Sequence, residues 1–188
     1  MKYTLLAMLL FGLTACSSSD ELAEQLPPSA EHPNQMVWTK QKSAVSYHIQ
    51  ADERLNVNND APTSLMLCVY QLTDSAEFVQ FSQSEQGVRQ LLECERFGPS
   101  VAFYQRLYLQ PGLTLSDVMD RHEAVRFLAV VAGYWNLDTK NVTQLYAFPT
   151  DYTTTGSLLW ETDHYRPGKL AVRLKAGEQS LWSETETE

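Results

Sequence analysis

Residues 64–72, Ser-Leu-Met-Leu-Cys-Val-Tyr-Gln-Leu, alternate with period two yet carry apolar side chains on both faces. Leu65, Leu67 and Val69 fall on one side, and Met66, Cys68, Tyr70 and Leu72 on the other. Such a run reads as a strand that must be covered on both sides. The next segment supplies a cover. Asp74 with Glu77, and Ser82 with Glu85, each fit a capping box. Phe78 and Phe81 lie three apart, as do Val88 and Leu91, with Leu92 completing the second face. Two short helices are therefore predicted at 75–81 and 84–94, an insertion between strands at about 75–94 that packs on the outer side of strand 64–72 and brings Cys94 toward Cys68.

The remaining pattern is that of many short strands. Val45, Tyr47 and Ile49 alternate with Ala44, Ser46, His48 and Gln50. Further strands are predicted at 101–109, 114–119 and 126–134, and weaker ones at 143–148, 157–160, 169–175 and 179–182. Pro111-Gly112, Pro149, Gly156, Gly168 and Gly177 mark turns. Asp52 to Thr63 is a long polar loop. Tyr152 and the run Thr153-Thr154-Thr155-Gly156 read as a second exposed loop, a solvated connection. The fold class is mainly β, a two-sheet β-sandwich with one small inserted helical segment.

Leu13-Thr14-Ala15-Cys16 closes a short apolar run, Leu5 to Leu13, that begins after Lys2. The run is too short to span a bilayer, which takes about 20 apolar residues. It resembles a bacterial lipobox. That resemblance implies a leader over 1–15, a lipidated Cys16, and, because Ser17 rather than aspartate follows, an outer-membrane anchor with the body in the periplasm. Residues 16–42, with Ser17-Ser18-Ser19 and Pro27, Pro28 and Pro33, then read as the lipidated cysteine and a flexible tether in which only Met36, Val37 and Trp38 are sticky. The globular domain spans 43–182, and 183–188 is an acidic tail.

The chain has 188 residues and a net charge of −9. Losing the leader removes Lys2 and leaves the mature chain more acidic still. An acidic body without a basic stripe argues against nucleic acid. Once Cys16 carries lipid, Cys68 and Cys94 remain, either as a disulfide in an oxidising compartment or as two buried thiols.

Val69-Tyr70-Gln71-Leu72, Leu109-Gln110-Pro111-Gly112 and Phe127-Leu128-Ala129-Val130-Val131-Ala132-Gly133-Tyr134, with Leu55-Asn56 ahead of them and Leu137-Asp138 behind, occur in one order. Together with the lipobox they resemble the outer-membrane lipoprotein of the type VI secretion system, the TssJ (SciN) family. The resemblance spans roughly residues 44–182. It implies a transthyretin-like sandwich, a structural role in an envelope-spanning membrane complex, and binding to the periplasmic C-terminal region of the inner-membrane protein TssM. The family's contact element is the loop between the first two strands. It maps to Asp52, Glu53, Arg54, Leu55, Asn56, Val57, Asn58, Asn59 and Asp60, continuing to Thr63. Val57 stands where the family commonly has proline, and the turn lacks glycine, which implies a less rigid loop. Exchanging Asn56–Asp60 for Gly/Ser is expected to weaken partner binding without loss of thermal stability.

Other chemistry is weakly represented. His122-Glu123-Ala124-Val125-Arg126 misses the zinc motif because Arg126 stands where the second ligand belongs, and the segment joins strands rather than forming a helix. No G-x-S-x-G elbow occurs, and His32, His48 and His164 lie in a tether, on a polar strand face and in a loop. The expectation is therefore no enzyme, no catalytic residue, no metal and no cofactor. Tyr104, Tyr108, Tyr134 and Trp135 invite a ligand-pocket reading but read mostly as core or cross-strand packing. The alternative function is a periplasmic ligand-binding or enzyme-inhibitor lipoprotein, which would show as an enclosed apolar cavity with converging polar groups.

Overall fold

The structure is a computed structural model that describes residues 26–157 and 159–184. The leader 1–15, Cys16 and most of the acidic tail lie outside the described residues. Ten strands and two α-helices follow one another in the described chain: β1 (Gln41–Ala51), β2 (Leu65–Leu72), α1 (Ala76–Ser82), α2 (Glu85–Leu91), β3 (Val101–Leu109), β4 (Thr114–Arg121), β5 (Phe127–Ala132), β6 (Thr143–Ala147), β7 (Thr150–Ser157), β8 (Trp160–Pro167), β9 (Leu170–Ala176) and β10 (Leu181–Ser183). Two four-stranded sheets, β10-β9-β1-β4 and β3-β2-β5-β6, form the expected sandwich, and β7 and β8 form a separate two-stranded sheet.

Alternation explains the core. Val45, Tyr47 and Ile49 of β1 and Val172 and Leu174 of β9 are buried, as are Leu65, Leu67 and Val69 of β2. Between the sheets sits a polar staple, Gln71, fully buried on the face shared with Leu65, Leu67 and Val69. Its Nε2 donates to the Asp120 carbonyl at 2.7 Å, and its Oε1 accepts from the His122 amide at 2.8 Å. A glutamine there satisfies backbone groups at the end of β4 that an apolar residue would leave unpaired.

The outer face of β2 is covered as its second apolar stripe demands. Phe78, Val88 and Leu91 of the helices are buried. Tyr70 donates its hydroxyl to the Leu91 carbonyl and packs edge-on against Phe97, 5.1 Å between centroids. Burial pushes the Tyr70 phenol up to about 12. Cys68 and Cys94 form a disulfide across this contact, with their Cα atoms 5.3 Å apart. Of the two predicted capping boxes, neither forms as read. Glu77 turns away to accept from Ser100 Oγ at 2.6 Å, and Asp74 Oδ1 accepts from the Ala76 amide. The second helix is capped by Ser84, whose side chain accepts from Gly87 N, while Ser82 Oγ donates back to the Val79 carbonyl.

Strand directions give the sandwich two distinct poles. β1 and β9 run parallel, whereas β1 and β4, β2 and β3, β2 and β5, and β5 and β6 run antiparallel. The chain therefore begins β1 at one pole, where β4 and β6 end and β5 and β9 begin. Loop 52–64, the start of β2 and the end of β5 lie at the other.

The segment read as a tether is held to the first pole over its described part. Ala30 exchanges both backbone hydrogen bonds with Tyr165 of β8, each 2.8 Å. The Trp38 ring lies over the guanidinium of Arg121, 5.1 Å from its centroid, and Phe148 faces the same group at 5.5 Å. Arg121 is fully buried and donates to the carbonyls of Thr39 and Gly168 at 3.0 and 3.3 Å. Aromatic faces and carbonyls take the place of a counterion. Of the three sticky residues, Trp38 is thus the one that docks, against a buried arginine, while Val37 stays exposed.

The largest departure from expectation concerns residues 150–167. The strand predicted at 157–160 is the turn region of a hairpin, and the supposed loop at Tyr152–Gly156 is its first strand, β7. Every described residue of β7 is exposed. With no buried face there is no hydrophobic alternation to read. The run of β-branched threonines beside tyrosine was the available signal.

Candidate functional site

The loop between β1 and β2 emerges from the centre of one sheet and enters the centre of the other, so both its ends are fixed by the core. Within it the side chains divide sharply. Leu55 and Asn56 are buried, while Asp52, Glu53, Arg54, Asn59 and Asp60 are exposed and Val57 and Asn58 are half-buried.

Asn56 is the pin. Its Nδ2 donates to the Ser64 carbonyl at 2.8 Å, and its Oδ1 accepts from the Trp135 amide at 2.9 Å. Its own amide donates to the Gly177 carbonyl at 3.2 Å, and its carbonyl accepts from Thr63 Oγ1 at 2.7 Å. Its φ is +46°, a left-handed conformation that asparagine tolerates better than most residues. The tip is a two-residue turn. Asn58 and Ala61 exchange backbone hydrogen bonds of 3.0 Å each, with Asn59 and Asp60 at φ +50° and +62°. Two positive φ values describe a type I′ turn, which Asn and Asp accept without glycine. Val57 stands just ahead of this turn, outside its two central positions. Neighbouring segments complete its support: the Gly112 amide donates to the Asp52 carbonyl, and the Val57 amide to that of Glu178. Arg54 pairs with Glu178 at 3.1 Å, both exposed, and that carboxylate holds the Arg54 pKa above its ordinary value.

These hydrogen bonds divide the sequence-expected contact residues into two kinds. Asn56 and Leu55 hold the loop, whereas Asn58 to Asp60 form its tip. Exchanging the whole stretch for Gly/Ser would remove the pin along with the tip, so the expected preservation of thermal stability does not follow for Asn56.

The aromatic residues also divide. Tyr134 is buried and donates its hydroxyl to the Ser180 carbonyl at 2.6 Å, and burial raises its pKa. Tyr104, Tyr108 and Trp135 are exposed, Trp135 at 66%; Tyr104 and Tyr108 are cross-strand partners of Tyr70 and Met66 on β2, as one half of the expectation had it, whereas Trp135 is neither core nor part of a strand pair. Trp135 Nε1 donates to Thr63 Oγ1 at 3.2 Å, so its ring is tied to the loop. A groove of about 290 Å³ runs beside it, lined by Asn56, Met66, Arg89, Tyr108 and Trp135 among others. The signal in the sequence was an aromatic residue directly after the strand expected at 126–134 and ahead of polar Asn136, a poor place for a core side chain.

Elsewhere the surface offers an open groove of about 570 Å³ on the outer face of the first sheet, where His48 Nδ1 and Ser116 Oγ lie 2.9 Å apart. They are direct cross-strand partners on β1 and β4. Among the described residues no carboxylate is hydrogen-bonded to this histidine, and the contact is that of an exposed strand pair. The His122 ring stacks on Phe103, 4.9 Å between centroids. Among the described residues no group of three or more His, Cys, Asp or Glu is placed to hold a metal.

The family model described as Type VI secretion lipoprotein, VasD, EvfM, TssJ matches residues 43–176. No curated protein matches the chain significantly. Among solved structures, Lip from Serratia marcescens, described as a membrane bound component of the Type VI Secretion System, is 20% identical over 79% of this chain and 99% of its own, with a TM-score of 0.52. The T6SS lipoprotein TssJ1 from Pseudomonas aeruginosa is 18% identical over 78% of this chain and 97% of its own, with a TM-score of 0.53. A chain in a structure described as the T6SS protein TssM C-terminal domain from EAEC is 17% identical over 75% of this chain and 97% of its own, with a TM-score of 0.55. These structural likenesses establish a shared fold.

Proposed function

The chain belongs to the Type VI secretion lipoprotein family, and from that premise we propose that it is a non-enzymatic component of the secretion membrane complex, fastened to the outer membrane through acylated Cys16 and docked to the periplasmic C-terminal region of TssM through Asp52–Thr63. The observation that carries the docking half is the pinned loop: an exposed Asn59–Asp60 tip on a base fixed by Asn56 and Leu55. A preformed turn loses little conformational freedom on binding, and rigid scaffolds commonly present recognition loops in this way. The poles support the anchoring half. The N-terminal segment is held at the end of the sandwich opposite the loop, so a membrane on one side leaves the other side free for a partner.

The test is a titration of the mature protein against the TssM periplasmic segment, with Asn58, Asn59 and Asp60 replaced together by Gly/Ser. A fall in affinity of tenfold or more is expected with the unfolding midpoint unchanged. Equal affinity removes the loop from the interface. Cys16→Ser is expected to leave the fold intact and release the protein from outer-membrane fractions.

A further inference from the structure

The β7–β8 hairpin leaves the body at Thr150 and returns at Pro167, and its strands pair with each other and with neither sheet of the sandwich. Its flanks are polar apart from the Tyr152–Tyr165 pair, 5.1 Å between ring centroids. Tyr152 Oη and Thr154 Oγ1 each donate to Asp163 Oδ1 at 3.0 Å, and Thr155 Oγ1 meets His164 Nε2 at 2.9 Å. Its end is not polar. Leu159 and Trp160 are each 82% exposed, more than any other large hydrophobic residue among those described. An apolar pair confined to the tip of a polar ribbon suits end-on burial, not docking along a side. We propose that Leu159 and Trp160 seat in the lipid surface of the membrane that carries the chain, as a second attachment beside the acyl anchor. This rests on the reading that Cys16 is acylated.

Geometry brings the two attachments to one side. β6 ends and β9 begins at the pole where β1 starts, so the hairpin springs from the pole at which the N-terminal segment is bound. Ala30 is hydrogen-bonded to Tyr165, close to the foot of β8. Cys16 lies ten residues before Leu26, a contour of at most about 35 Å. The hairpin strands, eight residues each, extend about 25 Å at 3.3 Å per residue. A bilayer holding Cys16 is thus within reach of the tip. Tryptophan suits that depth, with an apolar ring for the acyl boundary and an N–H for the headgroups. Glu161 and Asp163 flank the tip and the whole chain carries −9, so attraction to anionic headgroups is absent and apolar burial must carry the contact.

The experiment uses the acylated full-length mature protein, its acyl mass on Cys16 confirmed first, reconstituted into phosphatidylethanolamine/phosphatidylglycerol vesicles with and without acyl-chain bromine. Tryptophan emission is compared between the natural chain and Trp160→Phe. The component lost in Trp160→Phe should be quenched at least twofold by bromolipid, while the remaining emission is not. Leu159→Asp, which keeps the fluorophore, should reduce that quenching. A Trp160 component insensitive to bromolipid in protein that carries its acyl mass overturns the proposal and leaves the anchoring intact. So does equal quenching in both chains, which would put another tryptophan face on the membrane. A Trp160 shift that follows protein density and not bromine would mean contact between copies and also overturns it. A missing acyl mass overturns the anchoring reading, and the proposal with it.

Discussion

Replacing Asn56 by alanine separates the loop's support from its contact surface. The substitution removes the bond from Nδ2 to the Ser64 carbonyl at 2.8 Å and the bond from the Trp135 amide to Oδ1 at 2.9 Å. Each such bond contributes about 1 kcal/mol net. Alanine at φ +46° adds roughly 1 kcal/mol of backbone cost relative to asparagine. The expected destabilisation is therefore about 3 kcal/mol. For a domain near 150 residues that corresponds to a Tm fall of about 10 °C. Urea unfolding followed by far-UV circular dichroism measures it directly, with Asn59→Gly as the control. Asn59 is exposed at the turn tip with φ +50°, a conformation glycine adopts without strain, so the exchange should cost under about 1 kcal/mol. If Asn56→Ala leaves the midpoint where it was, or if the two variants are equally destabilised, the division of this loop into pin and tip is wrong.

The disulfide and the buried tyrosines make two further expectations. Cys68 and Cys94 are 26 residues apart, and on the chain-entropy account the crosslink contributes about 3.5 kcal/mol. The double Cys→Ala variant should unfold at correspondingly lower urea, and an unchanged midpoint would refute the contribution. Tyr47 is raised to about 12 first by burial and then by Asp117, and Tyr70 to about 12 by burial. Below pH 10 both are protonated whether the chain is folded or not. Between pH 10 and 12 the unfolded chain releases protons that the folded chain keeps, so stability falls as pH rises, by about 1.4 kcal/mol per pH unit for each tyrosine. Tyr70→Phe should make that decline shallower, and an unaltered slope would count against the burial effect.

Much of the sandwich was legible because burial writes a period into the sequence. The two apolar faces of β2 led to the helices over them, and the alternation in β1 located its core side. Gln71 sat on the inward face of the same pattern, although its role required knowing that β4 ends opposite it. What failed has more than one cause. The β7–β8 hairpin has no buried face, so threonine propensity was its sole trace. Arg121 lies beyond the strand expected at 114–119, and its partners are carbonyls and rings contributed from Trp38, Thr39, Phe148 and Gly168, separated by more than a hundred residues. The choice between Ser82 and Ser84 as a cap turned on a two-residue shift, below what spacing alone resolves. At the proposed contact site the polar stretch announced a loop, but the difference between Asn56 and Asn59 depends on a carbonyl and an amide brought in from Ser64 and Trp135.

β1 is an inner strand, flanked by β4 on one side and β9 on the other. The chain enters it at Gln41 from the N-terminal side and leaves it at Ala51 into the proposed contact loop. A machine tugging on that loop while the other end is moored would load β1 along its own axis. The tension would run through the covalent backbone of β1, which is already near full extension, while the hydrogen bonds on both flanks hold the strand in place rather than open one after another as when a strand is peeled sideways. An inner strand pulled lengthwise is a mechanically stiff link, and this fold places one between the N-terminal segment and the proposed contact loop.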